Sequence, residues 1–238
     1  MKKKIKKGFA IASQSGVKGT LKWMLNGISW ELKKVNPTFR ARLKEHLSFD
    51  EKYGVETLTP VFPESLDIPY TTETEPGWYE AAEPWIVREI IKKAPVEPAQ
   101  TTFVDIGAGK GRVMCIAALH GFQSVVGIEL SSSLAAIARS NIAKLSSNLP
   151  TSSTQLTITI IEANAAECHY PDGDLLVTFF NPFGPLVLQK VLTNLLISHT
   201  PRKVVAAYIN PVHHEVFEQS SRWSLREIHS RYRLYESV

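Results

Sequence analysis

The stretch TTFVDIGAGKGRVM, residues 101–114, constrains the fold more than any other part of the chain. Phe103–Ile106 is a short apolar run carrying one acid, Asp105. Gly107, Gly109 and Gly111 then alternate with other residues, and a helical pattern begins. Glycines between a strand and a helix let a ligand approach the main chain, where free amides attract negative charge or lone pairs. The neighbouring residues narrow the choice of ligand. A triphosphate-binding loop follows its Gly-Lys with Ser or Thr, whereas Lys110 is followed by Gly111 and Arg112. A dinucleotide loop is spaced GxGxxG, and here Arg112 stands in the third glycine's place. Asp105 also meets a pyrophosphate with the wrong sign. It suits a ligand that carries an ammonium group.

Around this turn the chain alternates between strand and helix patterns. Short, β-branched, nearly continuous apolar runs predict strands at 102–106, 124–129, 156–161, 174–180 and 203–209. Helical periodicity places helices near 110–120, 131–145 and 184–198, and over WYEAAEPWIVREIIKKA at 78–94. Strands of this kind suit a parallel sheet covered on both faces. After Pro211 the rhythm changes, and WSLREIHS and YRLYESV predict an antiparallel pair at the sheet edge.

The first third reads differently. Residues 1–48 carry a net charge of +10, which leaves −6 for the remaining 190 residues of a chain whose total is +4. That asymmetry predicts a mildly acidic body with a basic N-terminal arm, and disfavours a uniformly basic nucleic-acid-binding domain. Leu21, Leu25, Ile28 and Leu32 recur at helical spacing, flanked by Trp23 and Trp30, so the arm reads as an amphipathic helix. Such a helix packs on a domain, or rests against acidic lipid or RNA. Residues 49–77, rich in Pro, Thr and Glu, read as an irregular connecting segment, and residues 78–238 as the ligand-binding domain. Cys115 and Cys168 are the only cysteines and lack metal-ligand spacing, which argues against a disulfide scaffold or a zinc site and fits a reducing compartment such as the cytoplasm. No apolar run is long enough to span a bilayer.

The glycine stretch resembles the first motif of the class I methyltransferases, whose ligand is S-adenosylmethionine. The resemblance continues in order. VVGIEL ends the second strand with Glu129 and Leu130; IIEANAAE follows the third with Asn164 and Ala165; LLVTFFNPFGP ends the fourth with Asn181, Pro182 and Phe183. It implies a Rossmann-like fold of seven mostly parallel strands with helices on both faces, here with an N-terminal helical extension. By the same resemblance Asp105, Gly107, Ala108, Gly109 and Gly111 cradle the amino-acid end of the cofactor, and Glu129 accepts the ribose hydroxyls. Asn164 stands where relatives keep an acid. NPFG resembles, with one proline missing, the Asn/Asp-Pro-Pro-aromatic motif of enzymes that methylate planar amino groups.

YEAAEPWIVREIIKKAPVEPAQTTFVDIGAGKGRV, taken with FFNPFGP, is similar to the non-SET histone-lysine methyltransferases over residues 79–186. That likeness implies that Tyr79, Glu80 and Glu83 lie over the cofactor, and that Asn181 and Phe183 line an amine channel. The acceptor expected is therefore a nitrogen, with a protein side chain ahead of a nucleic acid or small molecule. His213 and His214 are candidates for a general base. Tyr208 and Asn210 are further candidates at the end of the fifth strand. Two rivals stay open: an NAD(P)-dependent oxidoreductase, and a binding module of the same fold without catalysis.

Overall fold

In the computed structural model the residues described are 35–68, 78–148, 156–197 and 202–238. The amphipathic stripe at 21–32 lies outside them. The chain divides into two compact units, Met1–Leu47 and Ser48–Val238. Helix α1 (Pro37–Tyr53) crosses that boundary, its residues from Ser48 on belonging to the second unit, and begins where Asn36 Oδ1 accepts the amides of Thr38 (2.9 Å) and Phe39 (3.2 Å). Pro37 follows the cap, where its missing N–H costs nothing. α1 runs on through Tyr53, so the segment expected to be irregular from residue 49 is helical at its start.

The second unit is built on one seven-stranded sheet. Its strands are β1 (Thr102–Ile106), β2 (Ser124–Glu129), β3 (Thr157–Glu162), β4 (Leu175–Phe180), β5 (Val204–Ile209), β6 (Trp223–Ile228) and β7 (Tyr232–Ser237). Their order across the sheet is β3-β2-β1-β4-β5-β7-β6, with the first five parallel and β7 antiparallel to both β5 and β6. The chain order reverses between β1 and β4, and at such a switch point the strand ends leave a crevice for a ligand.

Alternation along the central strands divides the core between the two faces of the sheet. Phe103, Val125, Leu176 and Val205 pack with Val87 of α2 (Pro84–Lys93), Val113 to Ala117 of α3 (Arg112–Leu119) and Leu145 of α4 (Ser132–Asn148). Val104, Ile106, Val177 and Phe179 pack on the other side with Leu188, Val191 and Leu192 of α5 (Pro185–Asn194), and with Phe217 of the short α6 (Glu215–Glu218). Both faces are covered, which is why these strands read as apolar runs instead of alternating.

Helix α2 is shorter than its periodicity suggested. Pro84 occupies its first turn, and residues 78–83 are not helical; Tyr79 instead forms an antiparallel bridge to Val61, with N–H···O distances of 2.8 and 3.2 Å. A proline at that point starts a helix far more readily than it continues one.

Candidate functional site

A cavity of about 270 Å³ opens at the carboxyl ends of β1, β2 and β4. Its floor is the glycine turn. Gly107 and Gly109 have φ of 72° and 54°, in the left-handed region that glycine enters without penalty. A Cβ on Gly109 would lie 2.3 Å from the Tyr79 ring, so the turn and the aromatic wall above it depend on the missing side chain.

Asp105 and Glu129 bring two carboxylates into this cavity, both buried. The β1–β4 register sets Thr178 beside Asp105, and the Thr178 hydroxyl donates to Asp105 Oδ1 at 2.8 Å. Among the described residues no donor reaches the other oxygen. Burial raises the Asp105 pKa to about 7, with Thr178 pulling it down and the nearby Glu129 pushing it up. Burial also raises Glu129, against hydrogen bonds from the backbone. Its two oxygens accept the amides of Gly109 (2.7 Å) and Ser131 (2.9 Å), which fixes the carboxylate and leaves a lone pair on each oxygen for hydroxyl donors.

The remaining expected residues divide. Tyr79, Glu80, Ala108, Leu130, Asn164, Ala165, Asn181, Pro182 and Phe183 all line the cavity. Asn164 uses Oδ1 locally, accepting the Ala166 amide at 3.0 Å, a side-chain turn that shapes the loop after β3. Gly111 does not line the cavity. It caps α3 with φ 81°, and a Cβ there would stand 3.3 Å from that of Ala138, so its place is in helix packing. Glu83 does not line it either; it accepts from the Trp85 indole and pairs with Arg231 at 3.2 Å. His213 and His214 sit beside α6, near Glu215 and Glu218, and are not cavity residues.

Other residues of the site could not be identified from sequence. Leu66, Ile68 and Trp78 form part of the wall, brought there by a segment pinned at Asp67, which accepts from the Ser133 amide and hydroxyl (both 3.0 Å) and from the Ser131 hydroxyl. Arg112, 1% exposed, points away from solvent to Thr57 Oγ1 (2.6 Å) and Asp50 Oδ1 (3.0 Å), with Phe49 over its guanidinium. Hydrogen bonds from Thr57, Leu58 and Arg112 outweigh desolvation and hold the Asp50 carboxyl below its ordinary range. Tyr79 joins this cluster: its hydroxyl donates to Thr57 O at 2.7 Å while its ring lies over the glycine turn. The arginine that breaks the dinucleotide spacing thus holds Thr57, to which the wall residue Tyr79 is bonded.

Asn181 and Asn210, at the ends of β4 and β5, have φ of 45° and 49° and both line the cavity. Asparagine tolerates this left-handed backbone better than other side-chain-bearing residues. Among the described residues no His, Cys, Asp and Glu are grouped to hold a metal ion, and no helix is long and apolar enough to cross a membrane.

A glycine turn after β1, an acid closing β2 and an antiparallel β7 inserted between β5 and β6 define the class I methyltransferase fold, and this chain has it. Residues 63–155, under half of the chain, match the family model described as "Histone methylation protein DOT1". No curated protein matches the chain in sequence. Among solved structures, TrmN from Thermus thermophilus is similar with a TM-score of 0.50 and 16% identity, over 66% of this chain and 49% of that one. A predicted N6-adenine-specific DNA methylase from Listeria monocytogenes str. 4b F2365 is similar with a TM-score of 0.49 and 14% identity, over 66% and 51%. The chain therefore spans about half the length of each of these two.

Proposed function

We propose that the chain is an S-adenosylmethionine-dependent methyltransferase acting on a nitrogen, with a protein side-chain amine favoured as acceptor. One observation carries this reading: two buried carboxylates and a glycine turn share a cavity with Asn181, Pro182 and Phe183. The residues present fit the cofactor. Asp105 offers its unpartnered oxygen to the ammonium group, and Glu129, held by two amides, offers lone pairs to the ribose hydroxyls. The apolar wall of Leu66, Leu130 and Leu134 suits the adenine.

When bound, S-adenosylmethionine supplies a methyl carbon already activated by its sulfonium. The chain's part is then to position the acceptor in line and keep water out. Asn181 Oδ1 accepts an N–H of the amine and turns its lone pair toward the methyl; the Phe183 ring bounds the channel. Asp105 and Glu129 would hold the cofactor with its methyl group facing the Asn181 end of the cavity, and the proton released by the methylated nitrogen would pass to solvent.

Support for a protein acceptor over nucleic acid comes from the acidic body and the match to the histone methylation model. Incubation with tritiated S-adenosylmethionine and separate protein, RNA and DNA fractions tests it. Label in protein, recovered as a methylated amine, is the expected result. Label confined to nucleic acid would shift the acceptor, and label in none would count against catalysis.

A further inference from the structure

Tyr208 is almost fully buried, yet its hydroxyl reaches the site. The β4–β5 register pairs Phe179 with Tyr208, so the tyrosine lies on the same face of the sheet as Phe179, close to the turn after β4 that carries Asn181. The ring packs against Phe179 and Phe217, with centroids at 5.4 and 6.1 Å, the three rings forming one mutually contacting cluster. From there its oxygen lies 2.7 Å from Asn181 Oδ1 and accepts the His213 amide at 3.2 Å. The hydroxyl therefore accepts from the His213 amide and gives its proton to Asn181 Oδ1.

From this geometry we infer that Tyr208 is a positioning residue which fixes the sense of the Asn181 amide toward the methyl acceptor. The inference rests on the proposed function. An amide has two faces of opposite polarity: Oδ1 accepts hydrogen bonds and Nδ2 donates them. With Oδ1 toward the acceptor, the amine's N–H is bound and its lone pair stays free. With the amide flipped, Nδ2 would donate to that lone pair and block attack. The Tyr208 hydroxyl donates only to the oxygen, occupies one of its two lone pairs and leaves the other for the amine. Burial raises the Tyr208 pKa, so the group remains a protonated donor. Asn181 itself is held at φ 45°, which limits where its side chain can go.

The test uses the full chain with Tyr208→Phe, which keeps the packed ring and removes only the hydroxyl. The first readout is the order parameter of the Asn181 side-chain amide from nitrogen-15 relaxation, the resonance being assigned by its loss in Asn181→Asp. The second is transfer of tritiated methyl to total protein. Tyr208→Phe should lower the amide order parameter and cut kcat about tenfold, the effect of one hydrogen bond, with S-adenosylhomocysteine affinity unchanged. A carboxylate presents oxygen either way round, so in the Asn181→Asp background the same substitution should cost less than about twofold. An unchanged amide order parameter in Tyr208→Phe, or an equal loss in both backgrounds, overturns the inference. Wild-type protein that fails to bind S-adenosylhomocysteine instead defeats the methyltransferase reading, and the role of Asn181 with it.

Discussion

Cofactor affinity should depend on pH through Asp105. The carboxyl is buried, receives one hydrogen bond from Thr178 and stands near Glu129, and its pKa is raised to about 7. At pH 8 it is then roughly nine-tenths ionised and at pH 6 roughly one-tenth. An ammonium group binds the carboxylate and not the acid, so the apparent Kd for S-adenosylhomocysteine should rise about tenfold between those values. The same shift acts on the free fold with a definite sign. A carboxyl raised above its unfolded value makes the native state hold the extra proton, so stability falls as pH climbs from about 4 to about 7, by on the order of 4 kcal/mol. A bound ammonium group opposes that loss. Calorimetry across the pH range measures the affinity, with 5′-methylthioadenosine as comparator because it lacks the amino-acid end. Its affinity should not carry the Asp105 dependence, and Asp105→Asn should abolish the dependence for S-adenosylhomocysteine while weakening binding. A flat profile in the wild type, or the same slope in Asp105→Asn, would refute the pairing of Asp105 with the ammonium.

Three substitutions test other parts of the account. Gly109→Ala sets a methyl group 2.3 Å from the Tyr79 ring at a φ of 54°, and should cost about 1–3 kcal/mol in denaturant unfolding and displace the wall over the turn; a change within error would show that the turn tolerates a side chain. Arg112→Met removes a buried guanidinium from half-buried Asp50 and from Thr57 and should destabilise by about 3 kcal/mol, lowering the denaturant midpoint; a cost below about 1 kcal/mol would show that the Asp50–Thr57 cluster stands without it. Asn181→Ala should reduce methyl transfer while S-adenosylhomocysteine binding is retained; loss of both would place the residue in fold or cofactor binding, and loss of neither would favour a non-catalytic module.

The central sheet was legible in the sequence. The five parallel strands fall within a residue of their apolar runs, because burial on both faces leaves a continuous hydrophobic signal. The glycine turn and Glu129 could be placed because their spacing is short and tied to strand ends. Long-range pairing was not visible. Nothing in a linear pattern joins Arg112 to Asp50, 62 residues apart, or Tyr208 to Asn181 across neighbouring strands. Glu83 was misplaced for a local reason: helical periodicity over 78–94 concealed the break at Pro84, so Tyr79 and Glu80 belong to an extended wall while Glu83 turns to Trp85 and Arg231. Gly111 looked like its two neighbours in sequence, yet its requirement comes from the approach of Ala138 on another helix.

The most direct test of the central claim is calorimetric titration of the purified full chain with S-adenosylmethionine and S-adenosylhomocysteine, with NADH as comparator, at pH 8. Saturable binding of the sulfonium compound and its product, one per chain, with no heat from NADH, is the predicted result. Failure of both to bind, or preference for NADH, would contradict the assignment of Asp105, Glu129 and the glycine turn to this cofactor.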